Sequence, residues 1–543
     1  MDRGIDVACW GEPPRPVSGF AATHVLPDDV RRAGPVLDDL VRDTDAEWIL
    51  LWDPLLGEPA GEVVASLATG RADACHAGIA LGLGGLPAEY DYIHPTWPLT
   101  CDPGPDEAGV SWRLSLAALL VRTQVLRDLG GLDPAFEGAT GAGLELGHRL
   151  IRRGAVIVHA PELVGQRRMP SEPLTDHDRL TFLRRSFGRK WVTYAAARRV
   201  VSGRSPVATA RAWASSRRAC GASAALAQSP LPARPSRPLP PDPSVTVVLP
   251  TLGRGEVVRA VLSQLQRQSL APVQVVVVDQ NDPDTRDPGD YEGFDGLPLE
   301  VVLQDERGQW VARNAAVQRA VGDWIAFVDD DSEIDEDFLA PHLEGLIRYD
   351  ADLSTGASRA VVGAPVPENY SYFRVADQWD SGNGMCRREL FDELGLFDQQ
   401  FDRQRRGDAE FGLRAQRAGR LVVHNPHAVR RHLKAATGGL RTDGSWDGFR
   451  SRDRSGPMPQ PSILYYTSRY HTRRQAREDL LLGIVTSVVP YHRKRRVGPG
   501  QMAALLAAEA LHLPSTARRV RLSRRLADRM VADGPRVPAL ASR

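Results

Sequence analysis

Three consecutive carboxylates, Asp329–Asp331, follow an apolar run that begins at Trp324 ("WIAFVDDDSEID"). Such a run predicts a strand buried on both faces, with the acids at its carboxyl end. Two carboxylates separated by one residue suit a hard divalent cation, because Mg²⁺ and Mn²⁺ prefer oxygen ligands and commonly bridge phosphates. A solvated turn that caps a helix is the alternative, but unpaired acids at the mouth of a buried sheet repel one another without a cation. The pattern therefore favours a metal site.

The elements that would position these acids are predicted by alternating strand and helix patterns after residue 244. Val245–Thr251 and Val273–Asp282 are apolar, β-branched runs, and each is followed by a helical pattern before the next strand. This order predicts a doubly wound α/β sheet. Ligands bind such sheets at the carboxyl ends of the strands, so Asp279 is expected to lie beside Asp329–Asp331.

A weaker copy of the same pattern occurs near the N-terminus, where "WILLWDPLL" begins at Trp48. Sliding Leu129–Pro161 onto Leu394–Pro426 at a constant offset of 265 gives 12 identical residues in 33. Matching Gly, Asp and Phe residues in one register are unlike a chance similarity of two helical segments. We therefore predict a duplicated domain. The expected organisation is a degenerate domain over residues 1–200, a helix and Pro-rich linker over 201–243, a second copy over 244–450 and a helical C-terminal region over 451–543.

The two copies share residues that look structural and differ at residues that could do chemistry. The first copy also has fewer residues ahead of its acid, so we expect it to lack the strand–helix unit that carries Asp279. Asp408, in "RRGDAEFGLR", could be a helix cap, but a cap would serve either copy, and the first copy has no acid there. The aligned pairs are Asp330 with Pro54, Asp331 with Leu55, Asp408 with Gly143 and His432 with Arg167.

The composition sets limits on partners and location. The 543 residues include 68 Lys and Arg and 68 Asp and Glu, so no net charge points to nucleic acid. The five cysteines form no CxxC pair, which is typical of reduced cytosolic thiols. We see no secretory signal, and we expect a cytoplasmic protein. The run Leu480–Pro490 precedes "YHRKRR" and is either a buried helix with a basic end or a peripheral contact at the inner face of the membrane.

Several ordered motifs resemble the family 2 glycosyltransferases of the GT-A fold, over about residues 244–475. They are "VVLPTLGR", "VVVVDQND", "ARNAAVQRAVGDWIAFVDDD", "GNGMCRRELFDELGLFDQQF", "GDAEFGLR" and "YYTSRY". The resemblance implies a GT-A catalytic domain, preceded by a degenerate GT-A-like domain. It also implies a nucleotide-diphosphate sugar donor (a UDP-sugar being commonest), a divalent cation (Mn²⁺ or Mg²⁺) and inversion at the anomeric carbon.

The resemblance also implies roles for individual residues. Asp408 would be the general base that takes a proton from the acceptor hydroxyl. The family commonly has Glu-Asp where this chain has Gly407–Asp408, so the acidic neighbour of the base is missing. Three residues would hold the metal: Asp329, Asp331 and His432. Those that would line the donor site are Pro250, Thr251, Arg254, Asp279, Arg313, Asn314, Asp329, Asp330 and Asn383.

The sequence leaves the acceptor and two rival functions open. The acceptor could be a glycan, a lipid-linked glycan, a small metabolite or a protein. A sugar nucleotidyltransferase also holds a metal-bound nucleotide at the carboxyl end of an α/β sheet, but it does not account for "GDAEFGLR". A non-catalytic scaffold that binds a glycan or a protein is the second rival. Acids kept only in the second copy argue against it.

Overall fold

A computed structural model of the chain describes two compact units. Among the described residues, the first comprises those up to 233 together with 416–421, and the second comprises those in 234–415 and 422–541. The described residues are 4–13, 17–77, 103–165, 167, 173–221, 228–361, 366–376, 378–434, 439, 449, 455–489, 498–510 and 512–541.

The first unit is built on a seven-stranded mixed sheet. Its strands are β1 (Ile5–Trp10), β2 (Ala22–Leu26), β3 (Trp48–Trp52), β4 (Ala74–His76), β5 (Gly109–Val110), β6 (Ala118–Arg122) and β7 (Ile157–His159). Its helices are α1 (Val30–Asp43), α2 (Gly61–Ala68), α3 (Thr123–Leu129), α4 (Ala139–Arg152), α5 (Asp176–Phe187), α6 (Arg189–Val201) and α7 (Pro206–Gly221). The strand order is β2-β1-β3-β6-β4-β7-β5. Every residue of the central strand β3 is buried, as its uninterrupted apolar sequence requires.

The second unit contains a larger mixed sheet, and its helices continue to the C-terminal region. The strands are β8 (Val245–Thr251), β9 (Gln274–Asp279), β10 (Leu299–Leu303), β11 (Trp324–Val328), β12 (Ser332–Ile334), β13 (Leu353–Ala360), β14 (Arg374–Val375), β15 (Asn383–Arg387) and β16 (Val422–His432). The helices are α8 (Gly255–Gln266), α9 (Gln309–Arg319), α10 (Leu339–Tyr349), α11 (Leu390–Leu394), α12 (Gly407–Arg417), α13 (Pro461–Tyr470), α14 (Arg473–Ser487), α15 (Pro499–Ala510) and α16 (Leu513–Asp533).

The strand order in the second unit is β10-β9-β8-β11-β15-β13-β16-β12, and β14 also pairs with β16. Strands β8, β9 and β11 run parallel, and apart from Pro250 their apolar residues are buried. The predicted α/β fold and the helical C-terminal region are both confirmed. In the part of the chain that the structure describes, no helix combines the length and the apolar character needed to cross a bilayer. The basic run at residues 491–496 lies outside the described residues.

The two sheets pair equivalent strands in the same register. In the first unit Trp48 of β3 lies opposite Arg122 of β6, and in the second Trp324 of β11 lies opposite Arg387 of β15. The next pairs along each sheet repeat this correspondence. Those pairs are Ala74 with Val121 and Ile157 in the first unit, and Leu353 with Cys386 and Val422 in the second.

Side-chain contacts repeat as well. Arg149 forms an ion pair with Glu145 one turn earlier in α4 and donates to the carbonyl oxygen of Leu129. Arg414 in α12 does the same with Glu410 and the carbonyl oxygen of Leu394. A guanidinium also lies over the indole of the tryptophan that opens each central strand, at 4.3 Å in the first unit and 4.5 Å in the second. Residues that are identical in the alignment therefore make the same kinds of structural contact in the two units.

One expectation about the first unit is wrong in part. The short chain ahead of Asp53 keeps an edge strand, because β2 pairs in parallel with β1 at the position that β9 occupies beside β8. The first unit is shorter here because no helix lies between β1 and β2 among the described residues. In the second unit, helix α8 connects β8 to β9.

Candidate active site

Three parallel strands bring the predicted donor-side residues to one edge of the sheet. Thr251 at the end of β8 lies opposite Asp279 at the end of β9. Strand β11 is parallel to β8 on its other side and ends at Val328, so the acids follow directly. Asp279 is fully buried, and its carboxylate accepts the N–H of Asn281 at 2.8 Å. The expected grouping at the carboxyl ends of the strands is therefore present.

Asp329, Asp331 and His432 form a cluster whose ligand atoms all lie within 4.8 Å of one another. Strand β12 pairs with β16, which sets Ser332 opposite His432 and brings the imidazole to the acids. His432 Nε2 lies 3.3 Å from Asp331 Oδ1. These three residues would hold a divalent cation, which would supply positive charge at the end of β11. The donor set fits a divalent cation.

Asp329 is held by two guanidinium groups. Arg313 donates to its Oδ1 at 2.6 Å, and Arg430 donates to its Oδ2 at 2.7 Å. Burial would raise the pKa of Asp329, but the positive charges of Arg430 and Arg313 outweigh it and hold the pKa well below its ordinary value. Because Asp329 is already neutralised, Asp331 and His432 are the better placed metal ligands.

The middle acid of the three, Asp330, faces the protein interior. It accepts the hydroxyl of Thr251 at 3.0 Å and pairs with Arg254, which also lies 3.5 Å from Asp331. The pKa of Asp330 is raised to about 6, mainly by burial; Arg254 opposes the rise, and the negative charge of Asp331 adds to it. Asp330 therefore anchors the loop from β8 to α8 beneath the metal cluster.

The predicted base, Asp408, lies in the first turn of α12 and is partly buried. Its Oδ1 accepts the N–H of Ala409 at 2.8 Å. Burial raises the pKa of Asp408, and the negative charge of Asp380 raises it further, while this backbone N–H and the positive charges of Arg405 and Arg406 lower it. A carboxyl group with a raised pKa is a stronger base, which suits proton abstraction.

The missing acid beside Asp408 has a steric explanation. The indole of Trp310 occupies the space where a Cβ at position 407 would lie, so only glycine fits there. The backbone N–H of Trp310 donates to Asp402 Oδ1 at 2.7 Å, which anchors the start of α9. The same helix carries Arg313 one turn later. Helix α9 therefore contacts both the first turn of α12, which carries Asp408, and the carboxylate of Asp329.

Replacing Gly407 with alanine is expected to destabilise the protein by about 1–3 kcal/mol, because the new methyl group overpacks against the Trp310 indole. Thermal unfolding would measure the change. The matched control is Gly296→Ala, whose Cβ would have only the Gln266 amide within 4 Å. Equal stability of the two variants would contradict the steric explanation.

The two asparagines predicted to bind the donor are engaged in the interior. The amide of Asn314 donates to the carbonyl of Phe397 at 2.9 Å and accepts the N–H of the same residue. Asn383 is fully buried, and its Oδ1 lies 3.0 Å from His342 Nε2. Pro250, by contrast, lies near the end of β8, opposite Val278. A role for these three residues in donor binding stays a prediction, and the geometry favours structural roles for the asparagines.

Two residues of this cluster were missed by the sequence reasoning. Arg430 pairs with Asp329 and lies 3.5 Å from Asp380 Oδ2. The alignment of the two copies carried a signal, because extending it beyond the identical stretch matches Asp380 with Ser115 and Arg430 with Gly165. Asp380 and Arg430 therefore both have uncharged residues at the aligned positions of the first unit.

The first unit has none of this arrangement among its described residues. Asp53, which aligns with Asp329, accepts the N–H of Leu55 at 2.9 Å and so caps the short 3₁₀ helix Pro54–Leu56. A Cβ at Gly143, the position of the base, would lie 2.6 Å from the carbonyl oxygen of Leu114. Backbone fills the space where the second unit has a carboxylate.

The fold and this cluster define an α/β enzyme domain with acids at the carboxyl ends of its parallel strands. Residues 246–405 match the sequence model of glycosyl transferase family 2. The uncharacterized glycosyltransferase YwdF of Bacillus subtilis is 29% identical over 195 residues, which are 33% of this chain and 69% of YwdF. Glycosyltransferase GlyA of Streptococcus pneumoniae is 26% identical over 30% of this chain and 22% of its own length. The amylovoran biosynthesis glycosyltransferase AmsB of Erwinia amylovora is 29% identical over 20% of this chain and 38% of its own length.

Solved structures give partial likenesses. The S. aureus protein TarS, residues 1–349, is 16% identical with a TM-score of 0.34, covering 54% of this chain and 92% of that one. The mannosyltransferase PcManGT from Pyrobaculum calidifontis, solved with GDP-Man and Mn²⁺, is 18% identical with a TM-score of 0.34, covering 55% of this chain and 90% of that one. The family assignment depends on the sequence matches. The chain is a glycosyltransferase, and its residues 246–405 match the family 2 model.

Proposed function

We propose that the second unit transfers a sugar, with inversion, from a nucleotide-diphosphate sugar to an acceptor hydroxyl, and that transfer depends on a divalent cation. The observation that carries the proposal is the metal-ligand cluster of Asp329, Asp331 and His432, which is connected to Asp408 through two charged residues. Arg430 pairs with both Asp329 and Asp380, and the negative charge of Asp380 acts on Asp408. A divalent cation bound there supplies positive charge against the departing diphosphate. The nitrogen ligand favours Mn²⁺ over Mg²⁺, which prefers all-oxygen sites.

The residues of the chain have separate tasks in this proposal. Thr251 and Asp279 face the nucleoside at the ends of β8 and β9. Arg313 fixes the carboxylate of Asp329 beside the diphosphate. Asp408 accepts the proton of the acceptor hydroxyl as its oxygen attacks the anomeric carbon from the face opposite the leaving group, which inverts the configuration.

A product assay tests the function directly. The protein is incubated with Mn²⁺ and UDP-, GDP- and dTDP-sugars, and the released nucleotide is identified. Sugar transfer or hydrolysis releases a nucleoside diphosphate, whereas a sugar nucleotidyltransferase consumes or releases pyrophosphate. UDP-sugars are the first donors to test. Absence of any nucleoside diphosphate with all three donors would overturn the proposal and favour a non-catalytic binding role.

The first unit is proposed to be a degenerate copy of the same domain that takes no part in catalysis. The shared strand register and the repeated arginine–glutamate pairs support common descent. The loss of the acids supports the absence of catalysis. We propose further that the acceptor is a glycan, a lipid-linked glycan, a small metabolite or a protein. The protein is proposed to be cytoplasmic, with a peripheral contact at the inner face of the membrane.

Replacing Gly143 with alanine in the first unit is expected to cost about 1–3 kcal/mol, because the methyl group would press on the carbonyl oxygen of Leu114. Thermal unfolding would measure the loss. Gly61→Ala in the first turn of α2 is the control, since nothing lies within 4 Å of its Cβ. A fully stable Gly143→Ala variant would mean that this position could still hold a side chain, and the account of decay by backbone filling would be wrong.

A further inference from the structure

Arg430 connects two carboxylates that come from different loops. Its Nη1 donates to Asp329 Oδ2 and to the carbonyl oxygen of Gly382, both at 2.7 Å, and its Nη2 lies 3.5 Å from Asp380 Oδ2. The guanidinium is almost fully buried. A Cβ at Gly382 would overlap both Arg430 and Asp329, so the close approach requires glycine. A buried cation in this position needs both negative partners.

Asp380 is held in one orientation but is not enclosed. The hydroxyl of Ser358 donates to its Oδ2 at 2.6 Å, and the N–H of Gly382 donates to its Oδ1 at 2.9 Å. Its side chain is nevertheless 33% exposed, whereas that of Arg430 is 3% exposed. Oδ1 has a second lone pair, so Asp380 can accept another hydrogen bond on its open side.

The aligned positions in the first unit show which features of the Asp380 turn are structural. Ser115, which aligns with Asp380, keeps the local turn, because its hydroxyl accepts the N–H of Ala117 as Asp380 accepts that of Gly382. A charge is therefore not needed to fold the turn. Gly165 aligns with Arg430, so the cation and its second carboxylate are absent together from the unit that also lacks the base.

We propose that Asp380 contacts the acceptor beside Asp408 and that Arg430 is a positioning residue that fixes Asp380 relative to Asp329. Acceptor hydroxyls are hydrogen-bond donors, and a fixed carboxylate orients one hydroxyl while Asp408 takes the proton from another. The bridge through Arg430 would then set the distance between the donor side and the acceptor side of the site. This inference rests on the proposed function of the second unit.

The test uses the full chain with Asp380→Asn and Arg430→Lys, and the control is Arg431→Lys. Arg431 is the next residue of β16, is exposed and pairs with Glu333. UDP, GDP and dTDP are first titrated into each protein with Mn²⁺ by calorimetry. Hydrolysis of the matching sugar nucleotide is then measured with water as acceptor, and transfer is measured with free monosaccharides. Thermal unfolding confirms that each variant is folded.

For Asp380→Asn we expect unchanged nucleotide affinity and a fall in transfer of about 10- to 100-fold, the effect of one hydrogen bond to a charged group. The acid limb of the hydrolysis–pH profile should also move to lower pH, since Asp380 raises the pKa of Asp408, whose other charged neighbours are Arg405 and Arg406. Arg430→Lys should weaken transfer more than hydrolysis, because an ammonium cannot bridge both carboxylates in the geometry of a guanidinium.

Different failures have different meanings. A wild-type chain that binds none of the three nucleotides would overturn the proposed function, and the inference would fall with it. A wild-type chain that binds and hydrolyses a donor, with Asp380→Asn showing neither reduced transfer nor a shifted acid limb, would overturn the inference alone. Equal losses of stability, nucleotide affinity and turnover in both variants would also overturn it, because they would indicate a purely structural ion pair.

Discussion

Asp408→Asn should lower the rate of sugar transfer by about 10²–10⁴-fold, the usual contribution of a general base. Asparagine keeps the size of the side chain and can still accept the N–H of Ala409, so the first turn of α12 should stay intact. Affinity for the nucleoside diphosphate with Mn²⁺ should change by less than about twofold, since no donor contact is assigned to Asp408. Steady-state rates and calorimetry on the same preparations would measure both quantities.

The pH profile gives an independent check of this assignment. The base must be ionised to work, so activity should fall as the pH drops through the pKa of Asp408. Because burial and Asp380 raise that pKa, the fall should occur at a higher pH than for an ordinary aspartate. Asp392→Asn, an exposed acid in α11, is the control and should change nothing. An active Asp408→Asn variant with an unshifted acid limb would assign the base to another group, with Asp380 as the first candidate.

Asp331→Asn should weaken Mn²⁺-dependent nucleotide binding by at least about 100-fold, because it removes an ionised ligand from the metal cluster and leaves His432 as the main ligand. Addition of EDTA to the wild-type protein should have the same effect. Calorimetric titration of UDP, with Mn²⁺ and then with EDTA, would measure both. Transfer should be lost in parallel, since the leaving diphosphate would lack its counter-charge.

The control for this variant is Glu333→Gln, an exposed acid two residues away that pairs with Arg431. It should bind nucleotide and metal like the wild-type protein. Tight nucleotide binding that persists in EDTA would show that the cluster does not hold a metal. The site would then have to stabilise the diphosphate with arginines, and the two guanidiniums on Asp329 would be the groups to replace next.

The sequence by itself was sufficient for the frame of the second unit. Continuous β-branched runs predicted β8, β9 and β11, because a strand buried on both faces must be apolar along its whole length. The same runs placed Asp279 and the acids after Val328 at one edge, since parallel strands end on the same side. The alignment of the two copies singled out His432, which the structure brings to Asp331. These inferences depend on local periodicity and on one internal comparison.

Only the tertiary structure decided which residues surround the ends of β8, β9 and β11. Arg313 and Arg430 meet at Asp329, although they are far apart in sequence, because α9 and β16 converge on the end of β11. Gly407 replaces an acid because the indole of Trp310 fills its space. A linear pattern records what each residue can do, but burial, steric fit and charge pairing depend on neighbours that only the folded chain supplies.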